Sequence, residues 1–262
     1  MCRHAAYVGP GIALSEVLRD VEHSLWHQSF QARELLAGVV CADGYGVAWY
    51  DADSGPDAAR YAFPGPIWSD HNLATLAPRV RSHTVVAAVR NATVAGHNTE
   101  ANCAPFTFGR WCLSHNGFLE DFAAWRPALV DSLSPRARNA IRGSTDSEHI
   151  FAMVLDAAER NPGDGLVSAV QEVCRTLLGE ATRLGKRCQL NLLASDGDHV
   201  VATRSGSTPT QNSLYVLQDG EEFPGAVVLA SEPLYDDAQW QAVAPDTVIA
   251  ARAGAPLVRL TL

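Results

Sequence analysis

Apolar residues follow two kinds of spacing in the first part of the chain, and each kind predicts a different element. Short apolar runs bounded by Gly, Pro, Asp or Asn predict β-strands at residues 2–9, 47–50, 60–63, 83–90 and 108–114. Apolar positions at helical spacing from Leu14 to Leu25 predict an amphipathic helix, and a shorter helix is expected at 73–80.

Three polar or glycine-containing stretches interrupt these elements. Gly9-Pro10-Gly11 predicts a turn after the first strand. Residues 26–31 are polar and aromatic with no clear period, which predicts a loop; it either crosses a pocket or carries core aromatics. Residues 115–118 are expected to end the strand at 108–114, where Asn116-Gly117 has the composition of a turn.

The second part of the chain changes from helical to strand patterns. Helical spacing covers 120–129, and Thr145 with Glu148 forms a capping-box motif that opens a helix to about Glu159. A further helix is expected at 164–182. The remaining patterns predict strands at 189–194, 199–204, 214–217, 226–231, 247–252 and 256–260. Strands, then helices, then strands predict an α+β protein with two sheets and helices stacked outside, in one domain over 1–262.

Charge and composition narrow the class of partner. The net charge of −9 over 262 residues argues against a nucleic-acid partner, which requires a basic face. No apolar run is long enough for a membrane span and no signal segment precedes the first strand, so we expect a cytoplasmic protein without a membrane partner. The six cysteines lack CxxC spacing and the nine histidines lack HExxH, so neither a metal nor another cofactor is predicted.

Cys2 is the first candidate for chemistry. Once Met1 is removed, this residue carries both a thiol and a free α-amine, so a nucleophile and a base occur together. The α-amine titrates near ~8 and the thiol near ~8.5, and a neighbouring base is the usual means of forming a thiolate. The alternative is a small buried residue that opens the first strand.

Three later positions offer complementary chemistry. Arg90 ends an apolar strand, and a buried arginine at such a position needs a hydrogen-bonding or charged partner. Asn116 is followed by Gly117, and an amide side chain beside a free backbone N–H is a suitable oxyanion site. Asp146 lies in a first helical turn, where the helix dipole alone also accounts for a carboxylate.

Taken together, the motifs resemble those of the class II glutamine amidotransferases. The resemblance covers essentially the whole chain and rests on ordered segments: Met1-Cys2, Val89-Arg90-Asn91-Ala92-Thr93, Asn102-Cys103-Ala104-Pro105-Phe106, Ser114-His115-Asn116-Gly117 and Thr145-Asp146-Ser147-Glu148. These enzymes are N-terminal-nucleophile hydrolases, so the resemblance implies a four-layer αββα fold. It also implies a small-molecule γ-glutamyl substrate; nothing in the pattern indicates an oligomeric state.

The resemblance assigns the reaction to three residues. Cys2 attacks a γ-glutamyl amide carbonyl, with its own α-amine as general base, and forms a thioester that water hydrolyses. The Nδ2 group of Asn116 and the N–H of Gly117 stabilise the oxyanion.

The resemblance also implies a site for the glutamyl zwitterion. Arg90 binds the α-carboxylate with help from Thr93, and Asp146 binds the α-ammonium. A histidine often follows the Thr93 position in this family, whereas this chain has Val94. The carboxylate site therefore departs from the family pattern at one position.

A second group of segments narrows the resemblance to free-standing members of the family. They are Met1-Cys2-Arg3-His4, Leu25-Trp26-His27-Gln28-Ser29, the stretch 42–50 and Ala230-Ser231-Glu232-Pro233-Leu234. Such enzymes release glutamate from a sulfoxide conjugate of trimethylhistidine in ergothioneine biosynthesis. The alternatives are a hydrolase of glutathione-derived γ-glutamyl peptides and a non-catalytic domain that binds glutamyl ligands.

Four aromatic residues are candidates for binding the quaternary ammonium of that conjugate. An aromatic face attracts such a cation, which cannot donate a hydrogen bond. The candidates flank the expected site in sequence, and each has core packing as its alternative: Trp26, Phe30, Trp111 and Phe118.

Overall fold

The computed structural model describes residues 2–51, 53–92, 98–161 and 165–262. Its strands are β1 (Arg3–Ala13), β2 (Tyr45–Trp49), β3 (Ala59–Phe63), β4 (Arg81–Val89), β5 (Phe106–Phe108), β6 (Trp111–Leu119), β7 (Cys188–Ser195), β8 (His199–Arg204), β9 (Tyr215–Gln218), β10 (Val227–Ala230), β11 (Gln241–Ala242), β12 (Thr247–Arg252) and β13 (Val258–Thr261). Its α-helices are α1 (Leu25–Gln31), α2 (Leu73–Leu76), α3 (Phe122–Ser132), α4 (Pro135–Asn139), α5 (Asp146–Arg160) and α6 (Gly165–Leu184).

The strands form two antiparallel sheets. The first has seven strands in the order β11-β9-β10-β1-β4-β2-β3, and the second has six in the order β13-β12-β8-β7-β6-β5. Apolar residues such as Val8 and Leu193 fill the space between the sheets. Helices α1 and α2 cover the outer face of the first sheet, and α5 and α6 cover that of the second. The predicted α+β class and the four-layer αββα order are therefore confirmed.

Strand β1 lies at the centre of the first sheet, between β10 and β4. Its side chains alternate in direction: Ala6 and Val8 point toward the second sheet, whereas Ala5 and Tyr7 point toward α1. The predicted turn at Gly9-Pro10-Gly11 is wrong. The pairing of β1 with β4 shifts between Val8 and Ile12, so these residues form an irregularity within a longer strand.

The segment before β2 also differs from the prediction. Instead of one helix from 14 to 25, a short π-helical turn spans Glu16–Asp20, and the chain is extended at Val21. The predicted loop at 26–31 is helix α1. Its buried face includes Gln28, whose amide donates to the backbone oxygen of His23 at 2.8 Å. A polar residue on the buried face therefore obscures the helical period.

The Asn-Gly pair lies inside β6 and does not form a turn. Asn116 pairs with Asn191 and Gly117 with Leu190 across the second sheet. The reversal occurs earlier, between β5 and β6, where Gly109 adopts a φ of 56°. Residues 115–118 therefore continue the strand that they were predicted to end.

The capping motif opens α5 as predicted, with one difference. The Thr145 hydroxyl accepts from the backbone N–H of Glu148 at 3.2 Å. The Glu148 carboxylate instead accepts the backbone N–H groups of Arg142 and Gly143, at 2.7 and 2.6 Å. Glu148 therefore holds the loop that leads into the helix.

The predicted elements after residue 160 are confirmed to within about two residues, although β11 was missed. Among the described residues, no helix combines the length and the hydropathy that crossing a bilayer requires.

Candidate active site

Cys2 lies at the start of β1, beside the end of β4. Arg3 pairs with Val89 and His4 with Ala88, so the register places Cys2 next to Arg90. The Cys2 Sγ lies 4.0 Å from the backbone oxygen of Asn91. Because side chains alternate along a strand, the half-buried thiol lies on the face of β1 that looks toward the second sheet.

Arg3 points to the opposite side of β1 and fixes the backbone of Cys2. Its Nε donates to the Cys2 carbonyl oxygen at 2.8 Å, and its fully buried guanidinium forms an ion pair with Glu232 at 3.0 Å. Neither residue was predicted as part of the site. A charged residue at the start of an apolar strand was the available signal, since such a residue needs a buried partner.

Glu232 is held by more than this ion pair. Its carboxylate accepts from His23 at 2.9 Å and from the backbone N–H groups of Arg33 and Glu34 at 2.7 and 2.9 Å. Burial alone would raise the pKa of Glu232, but these hydrogen bonds and the charge of Arg3 outweigh burial and lower it to about 2. Glu232 is therefore ionised at neutral pH.

Arg90 follows directly on β4, at the same end of the sheet as Cys2. Its guanidinium donates to the backbone oxygen of Asp43 at 3.1 Å and lies 3.4 Å from the side-chain oxygen of Asn98. These contacts hold the guanidinium beside the loop that leads into β2. Thr93, its predicted helper, lies outside the described residues.

Asn116 lies on β6 and contacts a residue that follows β10 of the first sheet. Its fully buried amide nitrogen lies 3.4 Å from the hydroxyl oxygen of Ser231. The same hydroxyl accepts from the backbone N–H of His4 at 3.0 Å. Ser231 therefore connects the predicted oxyanion donor to the strand that begins after Cys2.

His4 provides a second connection between the sheets. Its Nδ1 lies 3.2 Å from the hydroxyl of Ser114, two residues before Asn116 on β6. Burial, together with the charges of Arg3 and His115, lowers the pKa of His4 well below its usual value. His4 is therefore neutral at neutral pH.

Gly117 is required by close packing between strands. A Cβ at this position would overlap the backbone oxygen of Gln189 and the ring of His115. This accounts for glycine without any oxyanion role.

Asp146 is fixed at the end of β6. Its carboxylate accepts the backbone N–H of Leu119 at 2.8 Å and that of Ser147 at 2.7 Å. Leu119 is three residues beyond Asn116, so Asp146 and Asn116 lie near the same end of the second sheet. The half-buried Asp146 side chain thus has a defined orientation.

The segment 100–105 joins the two halves of the site. Arg60 donates to the carbonyl oxygens of Pro105 and Cys103 at 2.7 and 2.6 Å. The side-chain oxygen of Asn102 accepts from the backbone N–H of Ser144, just before α5, at 2.9 Å. This segment therefore connects the first sheet, through Arg60, to the start of the helix that carries Asp146.

Two of the four aromatic candidates lie on α1, outside the first sheet. The rings of Trp26 and Phe30 meet edge to face with centroids 5.0 Å apart, and Phe30 also contacts Trp68. Since Cys2 faces the second sheet, α1 covers the opposite face. The structure does not bring Trp26 and Phe30 to the thiol side of β1.

The other two aromatic candidates lie at opposite ends of β6. Trp111 opens the strand and packs against the core beneath α5 and α6; five residues of strand place it roughly 17 Å from Asn116. Phe118 is two residues beyond Asn116 and therefore lies on the same strand face. The guanidinium carbon of Arg187 lies 6.0 Å from the centre of the Phe118 ring.

Comparisons with known proteins agree with this architecture. Residues 14–219 match the family model for class II glutamine amidotransferases. A γ-glutamyl-hercynylcysteine sulfoxide hydrolase of Mycobacterium tuberculosis is 35% identical, over 92% of this chain and 88% of that protein. A probable glutamine amidotransferase of Saccharomyces cerevisiae is 30% identical, over 95% of this chain and 81% of that protein.

A comparison with solved structures finds the same fold in a protein of this family. A class II glutamine amidotransferase domain protein from Silicibacter pomeroyi superposes with a TM-score of 0.71 and 27% identity, over 99% of both chains. The αββα architecture is that of the N-terminal-nucleophile hydrolases. Within that class, the chain belongs to the class II glutamine amidotransferase family.

Proposed function

We propose that this protein hydrolyses the γ-glutamyl amide bond of γ-glutamyl-hercynylcysteine sulfoxide, in ergothioneine biosynthesis. The proposal rests on the relative positions of three residues. Cys2 and Arg90 lie at the same end of the first sheet, and Asn116 faces that sheet from the second. The mycobacterial relative's 35% identity over 92% of the chain supports the choice of substrate. We also propose that residues 1–262 form one catalytic domain, and that it works in the cytoplasm, where six free thiols are stable.

In the first step, the Cys2 sulfur attacks the γ-carbonyl carbon. The α-amine of Cys2, freed by removal of Met1, takes the thiol proton and delivers it to the departing nitrogen as the C–N bond breaks. The products of this step are the free amine and a γ-glutamyl thioester. Asn116 Nδ2 and the Gly117 N–H stabilise the oxyanion that forms on the way.

In the second step, water attacks the thioester carbonyl. The same α-amine accepts a proton from the water, and the C–S bond breaks to return the thiol and release glutamate. No other reactant is needed.

Two charges of opposite sign receive the glutamyl group. Arg90 binds the α-carboxylate and Asp146 the α-ammonium, from the two sides of the site. Thr93 is proposed to assist Arg90. This pairing requires that the α-carboxylate and the α-ammonium of the glutamyl group are both free. It therefore favours γ-linked glutamate over α-linked glutamate, whose α-carboxylate is part of the amide bond.

We propose Phe118 as the aromatic contact of the leaving group. It lies on the same strand face as Asn116, and an aromatic face is worth ~0.5–2 kcal/mol against a quaternary ammonium. Arg187 already lies near this ring, so the ligand cation must occupy the other face or displace it.

The test is a comparison of conjugates. Purified protein is incubated with γ-glutamyl-hercynylcysteine sulfoxide, with glutathione and with glutamine, and released glutamate is measured alongside the Cys2→Ala variant. We expect the highest kcat/KM with the sulfoxide conjugate and no turnover by Cys2→Ala. Preference for glutathione would support the peptide hydrolase, and binding without turnover would support the non-catalytic domain.

A further inference from the structure

The amide of Asn116 is held from one side by Asn212. The Asn212 side-chain nitrogen lies 3.0 Å from the backbone oxygen of Asn116 and 3.3 Å from its side-chain oxygen. A backbone oxygen can only accept a hydrogen bond, so the Asn212 atom that faces it is the nitrogen. The same nitrogen then faces Oδ1 of Asn116, which turns Nδ2 in the opposite direction.

On the other side of the amide, Nδ2 of Asn116 contacts the hydroxyl group of Ser231. The Ser231 hydroxyl oxygen lies 3.4 Å from Asn116 Nδ2 and accepts the backbone N–H of His4 at 3.0 Å. The amide is therefore aligned relative to the strand that begins beside Cys2. Only one of the two Nδ2 hydrogens is used by a partner in the described part of the chain, so the other is available to a ligand.

Asn212 is itself anchored, although it lies outside any strand. Asn191, the partner of Asn116 across β6 and β7, donates to the backbone oxygens of Asn212 and Ser213 at 3.0 and 3.2 Å. Asn116, Asn212 and Ser231 are all fully buried. In this setting a reversed amide would place its oxygen against the Ser231 hydroxyl and its nitrogen against the Asn212 nitrogen, with two donors facing each other.

We propose that Asn212 and Ser231 are positioning residues for the oxyanion site. Asn212 can only donate here, so it selects the amide orientation in which Asn116 presents an N–H, and not an oxygen, to the developing negative charge. Ser231, whose hydroxyl can either donate or accept, holds the nitrogen of that amide in place. The inference deepens the proposed function and rests on it. It also gives a role to Ser231 of the Ala230–Leu234 segment.

Steady-state kinetics of Ser231→Ala and Asn212→Asp test the proposal. Oxyanion stabilisation acts in the transition state, so kcat should fall while KM changes little. We expect a fall of roughly 10-fold or more, bounded by the ~10²–10³-fold cost of removing an oxyanion donor. Ser195→Ala is the matched control, because Ser195 is equally buried but lies four residues along β7 from Asn191.

A double-mutant cycle separates positioning from general structural damage. If Ser231 acts through Asn116, Ser231→Ala should lower kcat in the wild-type background and have no further effect in Asn116→Ala. An equal fall in both backgrounds would overturn the proposal. Should Ser231→Ala fail to fold, Ser231→Cys keeps the shape of the side chain at a slightly larger volume and weakens the acceptor, and the same comparison applies.

A readout that needs no turnover distinguishes this inference from the proposed function. The side-chain amide resonances of Asn116 are identified in a ¹⁵N NMR spectrum by their loss in Asn116→Ala. They should shift in Ser231→Ala and Asn212→Asp but not in Ser195→Ala; unchanged resonances would overturn the inference. Wild-type protein inactive on every γ-glutamyl amide would contradict the proposed function, while the resonances still decide the positioning.

Discussion

At the scale of single residues, the two faces of β1 have different roles around Cys2. The thiol lies on the face that looks toward Asn116, whereas Arg3 on the opposite face holds the Cys2 carbonyl oxygen at 2.8 Å. The nucleophile is therefore fixed through its backbone, and its side chain remains half-buried beside Arg90.

The geometry of Arg90 gives the first prediction. Replacing Arg90 with lysine keeps the charge but removes the planar fork that binds a carboxylate through two hydrogen bonds. We expect the KM for the γ-glutamyl substrate to rise by roughly 10-fold or more, with a smaller change in kcat. Arg81→Lys, at the exposed far end of β4, is the matched control and should leave both constants unchanged.

Processing of the chain start gives the second prediction. A peptide nitrogen has no basic lone pair, so Met1 must be absent if the amine of Cys2 is the general base. Intact-mass measurement of active protein should therefore show the loss of one methionine. Full activity in protein that retains Met1 would contradict the role of the amine.

Some residues of the proposed site can be predicted from the sequence and others cannot. Cys2, Arg90, Asn116 and Asp146 stand in motifs that a family resemblance identifies. Asn212 and Ser231 lie 96 and 115 residues from Asn116 and meet it only after folding. No local pattern links such positions, since the connection is made by strand pairing across the two sheets.

At the scale of elements, glycines in β6 and α6 provide a contrast. Gly117 lies where a Cβ would overlap Gln189 and His115, whereas Gly179, on the exposed face of α6, has nothing within 4 Å of a Cβ. We predict that Gly117→Ala destabilises the protein by about 1–3 kcal/mol through overpacking. Gly179→Ala should instead stabilise it by about 0.5–1 kcal/mol, because alanine costs less entropy in a helix.

Urea unfolding of the two variants measures this contrast. The wild-type protein provides the reference free energy of unfolding, and the slope against urea should remain constant if only stability changes. An unaffected Gly117→Ala variant would mean that β6 and β7 can separate slightly at that point. The close packing would then no longer explain the glycine.

Helices and strands could be predicted from the sequence where the spacing of apolar residues alone determines the element. Helix α6 and the strands after it follow clear periods and were predicted, except the two-residue strand β11. Helix α1 was missed because buried Gln28 is satisfied by His23, which a pattern of apolar residues does not report. The continuation of β6 through Asn116-Gly117 was missed because an Asn-Gly pair is also typical of turns. The sequence alone does not distinguish a glycine in a turn from one that permits close packing between strands.

At the scale of the whole molecule, Glu232 joins segments that are distant in sequence. It follows β10, forms an ion pair with Arg3 of β1, and accepts from His23 before α1 and from two backbone N–H groups after α1. One buried carboxylate thus fastens the helix layer to the first sheet beside Cys2. Removing its charge leaves Arg3 buried without a counterion, which typically costs about 3–5 kcal/mol.

This network predicts how stability depends on pH. The pKa of Glu232 is about 2 in the folded protein and 4.5 in its ordinary state, a difference equivalent to about 3 kcal/mol. Because the folded pKa is the lower one, this contribution is complete above pH 4.5 and is lost as the pH falls toward 2. The difference in unfolding free energy between wild type and Glu232→Gln should therefore shrink over that interval.

Glu120 is the matched control for this prediction. The hydrogen bonds from Arg187 lower the pKa of Glu120 to about 2 as well, but this pair lies at the surface. Solvent screens such a pair and leaves it with little effect on stability, so Glu120→Gln should stay close to wild type throughout. If Glu232→Gln behaved like Glu120→Gln in urea unfolding at neutral pH, the buried carboxylate would not hold the helix layer. If instead its deficit persisted down to pH 2, the loss would come from packing and not from charge.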